Sequence, residues 1–84
     1  MAVTVMLVDD HEVVRQGLRT LLEREAEITV VAEAGTVAEA LERALSEKPS
    51  VVVMDVRLPD GSGVEACREI LSALPDTRIV VLTS

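Results

Sequence analysis

Residues Thr4 to Asp10 read TVMLVDD, a strand-forming run that ends in two carboxylates. A second run, Val51 to Met54 (VVVM), closes on Asp55 in the same way. Unbroken Val-rich runs mark strands buried on both faces, as in parallel sheets. Acids at the carboxyl ends of such strands stand where open α/β sheets bind their ligands. Three carboxylates gathered there repel one another and need a cation between them. Oxygen donors with no Cys or second His nearby favour a hard ion, Mg²⁺ before Ca²⁺ or Zn²⁺.

Outward from these runs, strand and helix signals alternate along the whole chain, which predicts an α/β class with a parallel sheet. The strands are expected at Thr4 to Val8, Ile28 to Ala32 or slightly beyond, Val51 to Met54, and Arg78 to Leu82. A first helix is expected from about His11 to Arg24, with Asp10 as its N-cap and Val14, Leu18, Leu21 and Leu22 as its buried stripe. Thr36 and Glu39 form a capping box for a second helix, whose stripe is Val37, Leu41, Ala44 and Leu45. Pro49 and Ser50 end it. The segment from Leu58 to Gly63 is loop chemistry. A third helix follows, carrying Val64, Cys67, Ile70, Leu71 and Leu74, and Pro75 stops it. Right-handed crossovers with helices on both faces require the strand order 2-1-3-4. Strands 1 and 3 are then neighbours at the topological switch point, and Asp9, Asp10 and Asp55 converge in one crevice.

Composition narrows the function. The 84 residues allow one domain, and with no aromatic residue its core must be aliphatic. A net charge of −7 with no cluster of Lys and Arg argues against a nucleic-acid surface in this segment. The single cysteine, Cys67, forms no internal disulfide and points to a reducing compartment. Neither a signal peptide nor a membrane span is indicated, so the expected location is the cytoplasm.

Each acid also has a plain reading: Asp10 as a cap, Asp9 as a turn residue, Asp55 as a polar strand end. Pro59, Asp60, Gly61 and Gly63 suit any tight turn. Thr83 is either a β-branched strand residue or a hydroxyl facing the crevice. His11 reads as an exposed first-turn residue, and Cys67 as a small buried hydrophobe. It is the combination of acids at a switch point that favours a site.

Val8-Asp9-Asp10-His11, the tract from Asp55 to Gly63 (DVRLPDGSG) and Val81-Leu82-Thr83-Ser84 together resemble the receiver domain of bacterial two-component response regulators. Within it, the wording resembles the class with a LuxR/NarL-type helix-turn-helix output, nearest to actinobacterial dormancy-survival regulators. The resemblance implies a flavodoxin-like, doubly wound sheet, here a partial receiver over residues 1–84 that stops after strand 4. It implies Asp55 as the phospho-acceptor, phosphorylated by a sensor histidine kinase with Mg²⁺. Asp9, Asp10, Asp55 and the Arg57 backbone carbonyl would be the metal ligands, and Thr83 the switch hydroxyl. It further implies a fifth strand bearing a Lys, an aromatic switch residue and a DNA-binding output, all lying past Ser84. The only lysine here, Lys48, precedes strand 3 at the opposite edge of the sheet.

The expected role is therefore signal reception and not enzymatic turnover. Two rivals belong to other classes. One is an interaction module with vestigial acids, associating through an exposed strand 4 or a poorly covered sheet face. The other is a Mg²⁺-dependent aspartyl phosphohydrolase, disfavoured because Arg57 stands where such enzymes carry a second acid.

Overall fold

A computed structural model describes residues 2–82 of the chain. Its elements are β1 (Val3–Val8), α1 (Glu12–Leu22), β2 (Ile28–Ala34), α2 (Val37–Glu47), β3 (Val51–Asp55), α3 (Gly63–Ala73) and β4 (Arg78–Leu82). The four strands form one parallel sheet in the order β2-β1-β3-β4, the expected topology. Between Arg57–Leu58 and Gly61–Ser62 a short antiparallel ladder stands where the sequence suggested only loop. Leu58 explains it, since its side chain is buried in the main core and draws the turn down onto the sheet.

The period of two along the strands sorts the core. Met6, Val8, Val52 and Met54 face α2 and α3, while Val5, Leu7 and Val30 face α1. The first face is packed by small helix residues, with Ala40, Ala44 and Ala66 fully buried against the two methionines. Small residues on a helix let it approach a sheet that carries long side chains, so total volume is kept. Leu45, Val64 and Leu71 therefore lie outside, 52%, 49% and 41% exposed, against the stripes expected from spacing.

The other face is covered by α1 alone. No residue of α1 is buried. Leu18 and Leu22 pack on Val5, Leu7 and Val30, whereas Val14 and Leu21 are exposed, contrary to the expected four-residue stripe. One helix cannot span four strands, so Val51 and Val53 of β3 stay half-covered and Val80 and Leu82 of β4 are exposed on this face, while Val81, registered on Met54, is exposed on the opposite face at the edge of the sheet. No helix among the described residues is long and apolar enough to cross a membrane.

Candidate metal and phosphate centre

The carboxyl ends of β1 and β3 bring four side chains together. One ligand atom from each of Asp9, Asp10, His11 and Asp55 lies within 4.8 Å of the others. Parallel pairing places them, because Val8 of β1 is registered on Met54 of β3, so both chains leave the sheet side by side. Thr83, expected as a switch hydroxyl, lies outside the described residues.

Asp10 does not cap α1. His11 occupies the N-cap position with extended backbone angles and makes no capping bond with its own side chain. Asp9 takes over instead: its Oδ1 accepts the His11 N–H at 2.7 Å, a local turn in which a carboxylate bonds the backbone two residues on. Asp9 itself is buried, so this bond and the next replace lost water. Asp10 is thereby left free of the helix and available to the crevice.

His11 was legible only as an exposed helix residue. Its ring is exposed, yet Nδ1 sits 2.9 Å from Asp9 Oδ1 and 3.0 Å from Asp10 Oδ1. The hydrogen bond to Asp9, followed by the charges of Asp10 and Asp9, raises the imidazole pKa above its ordinary value. When protonated, an imidazole between two carboxylates would supply part of the positive charge they lack. The only available signal in the sequence was its place directly after Asp9-Asp10 on the chain.

Asp55 ends β3 and its Oδ1 accepts the Arg57 N–H at 3.0 Å, which turns the chain away from the sheet. Gly63 then passes close beneath, donating its N–H to the Val56 carbonyl at 3.1 Å. Farther along the same loop, Asp60 reaches the amino end of α2. Its Oδ1 accepts the Val37 N–H at 2.7 Å and its Oδ2 the Ala38 N–H at 3.2 Å. These bonds, that from Val37 foremost, hold the Asp60 carboxyl below the usual carboxylate range. Sequence reading gave Asp60 only a turn role, because its partners are 23 and 22 residues away. The loop after Asp55 is thus tied at both ends, and α2 carries two caps, Asp60 on Val37 and Ala38 and Thr36 on the Glu39 N–H at 3.1 Å.

The donor set fits a small hard cation. The carboxylates of Asp9, Asp10 and Asp55, whose ligand atoms lie within 4.8 Å of one another together with one from His11, would hold Mg²⁺ through oxygen. Cys67 lies on α3, with its thiol pKa pushed up by burial, and its chemistry is that of a packed hydrophobe.

Comparison with known proteins agrees with this fold. Residues 5–84 match the family model described as the response regulator receiver domain. The DNA-binding transcriptional activator DevR/DosR of Mycobacterium tuberculosis is 58% identical over 82 residues, 98% of this chain and 38% of that protein. The response regulator protein VraR of Staphylococcus epidermidis is 42% identical over 84 residues, covering 100% of this chain and 40% of its own length. The chain therefore spans about two fifths of these curated relatives. Among solved structures, a LuxR-family two-component response regulator from Aurantimonas superposes with a TM-score of 0.92 at 42% identity, over 99% of this chain and 59% of that one. The response regulator domain of Thermotoga maritima CheB gives 0.93 at 31% identity, over 100% of this chain and 62% of that one.

Proposed function

This chain belongs to the family of response regulator receiver domains, and on that premise we propose that it accepts a phosphoryl group on Asp55 from a sensor histidine kinase. The observation that carries the reading is the meeting of Asp9, Asp10, His11 and Asp55 beyond β1 and β3. An Asp55 carboxylate oxygen attacks phosphorus as the bond to the kinase imidazole nitrogen breaks, so one P–O bond replaces one P–N bond. Asp9 and Asp10, with Asp55 and the Arg57 carbonyl, would hold Mg²⁺, which when bound neutralises phosphoryl oxygens during a loose transfer. The Arg57 N–H, already bonded to Asp55 Oδ1, fixes the orientation of the acceptor carboxylate. Thr83 is proposed as the hydroxyl that meets the phosphoryl group.

The 84 residues are read as a partial receiver, β1 to β4, of a longer cytoplasmic regulator of transcription. One relative is named as a DNA-binding transcriptional activator and another as a response regulator protein, which supports a switching role over turnover. The charge of −7 leaves DNA contact to another part of such a protein. Arg57, exposed and cationic, stands where a phosphohydrolase would need its acid.

Acetyl phosphate with Mg²⁺ tests the reading. The 84-residue chain is expected to gain one phosphoryl group on Asp55, dependent on Mg²⁺ and absent from Asp55→Asn, as read by intact-mass spectrometry. Labelling should be slow, because the one lysine, Lys48, ends α2 at the opposite edge of the sheet and lends no charge to the transfer. Modification at another residue, or Asp55→Asn labelling like the parent, would refute it.

Association is proposed as a second property, between copies of this chain, through β4 or the half-covered face of β3. Val80, Val81 and Leu82 are 49%, 45% and 38% exposed along an edge strand, and apolar edges recruit other strands. In sedimentation at micromolar concentration the parent chain is expected to run as a dimer or larger, with Val81→Lys shifted to monomer. A well-folded monomeric parent sinks this expectation.

A further inference from the structure

Arg15 lies on α1, one turn beyond the acids, and its guanidinium turns back over them. Nη1 donates to the Asp9 backbone carbonyl, and Nε donates to Glu33 Oε1 on β2 at 3.1 Å. The second Glu33 oxygen accepts from Arg19 Nη1 at 2.8 Å, so the carboxylate is held from two sides and braces the Arg15 head. The Arg15 and Glu33 side chains are 19% and 25% exposed, which screens them less than a surface pair. A Cβ on Gly35 would stand 3.3 Å from Arg15 Nη1 and 3.8 Å from the Asp9 carbonyl oxygen, so the bare glycine leaves room for the guanidinium.

Asp9 is consequently fixed at three points. Its N–H donates to the Ala34 carbonyl at 3.0 Å, its Oδ1 accepts from His11, and its carbonyl accepts from Arg15. That carbonyl shares a rigid plane with the Asp10 N–H. Holding it therefore sets the direction in which Asp10 leaves the strand. From this geometry we infer that Arg15, braced by Glu33, is a positioning residue that sets the Asp9–Asp10 peptide and thereby aims Asp10 at a divalent cation. The inference rests on the cation reading given above.

Mg²⁺ titration of the 84-residue chain, followed by amide NMR shifts, is the test. Arg15→Met keeps the apolar stem and removes the donors, and should weaken Mg²⁺ by about tenfold, the low end for groups that orient metal ligands. Arg15→Lys restores one donor and should recover part of the loss. Glu33→Gln should weaken binding alone and add nothing in the Arg15→Met background, because it acts through Arg15. A merely structural role would lower the melting temperature and leave the affinity of the folded chain unchanged, which overturns the inference, as do additive losses. A second readout needs no metal: hydrogen exchange at the His11 amide should quicken several-fold in Arg15→Met relative to amides in the middle of β1. If the parent chain shows no Mg²⁺ response, the cation reading fails and His11 exchange alone decides whether Arg15 orders the turn. Equal exchange in parent and variant overturns the positioning role.

Discussion

Asp55→Asn is expected to weaken Mg²⁺ binding by about a hundredfold while leaving the fold intact. The substitution keeps shape and one oxygen but removes a negative charge from a cluster whose four ligand atoms lie within 4.8 Å. A divalent cation about 3 Å from a carboxylate charge gains roughly 3 kcal/mol even in a water-like dielectric, which is about two decades in affinity. Glu42→Gln, which removes an exposed charge on α2 away from the crevice, is the comparison and should change little. Amide shifts on titration are expected at Asp9 to His11 and at Asp55 to Arg57. Shifts elsewhere, or an Asn variant that binds like the parent, would remove the case for a metal centre and favour vestigial acids.

Gly63→Ala is expected to be the most damaging small substitution in the chain. A Cβ there would collide with the Asp55 carbonyl oxygen and stand 2.9 Å from Val56 Cα. Both are backbone, and neither can rotate away. The backbone of Gly63 is not left-handed, so the glycine is required for close approach and not for conformation. Overpacking at a site without give costs about 3 kcal/mol, which in a chain of this size lowers the melting temperature by roughly 12–24 °C. Gly17→Ala makes the opposite comparison. Nothing lies within 4 Å of that Cβ, and alanine in the interior of α1 should stabilise by about 0.5–1 kcal/mol. Thermal unfolding followed by circular dichroism checks both. A Gly63→Ala melting point within a few degrees of the parent would show that the turn after Asp55 can shift, and with it the Asp55 carboxylate.

The contrast between these two glycines marks the border between what sequence carries and what it does not. Gly17 and Gly63 look alike in the chain, and only the approach of the Asp55 backbone separates them. Alternating patterns, prolines and the pair Thr36 and Glu39 made every main element readable, because such signals act over one or two turns of chain. The handedness of crossovers then yielded the sheet order, and the order alone carried Asp9, Asp10 and Asp55 to one crevice. Side-chain meetings between elements were a different matter. Asp60 on the amino end of α2, Arg15 between Asp9 and Glu33, and His11 between two acids all depend on how helices seat on the sheet. Helical spacing also misassigned Leu45, Val64 and Leu71, since it reports which residues share a stripe but not how near the stripe lies to the sheet. Local periodicity and chirality determined the fold and the convergence of the acids. Which hydrogen bonds aim those acids was decided by tertiary packing, where a shift of an ångström makes or breaks each bond.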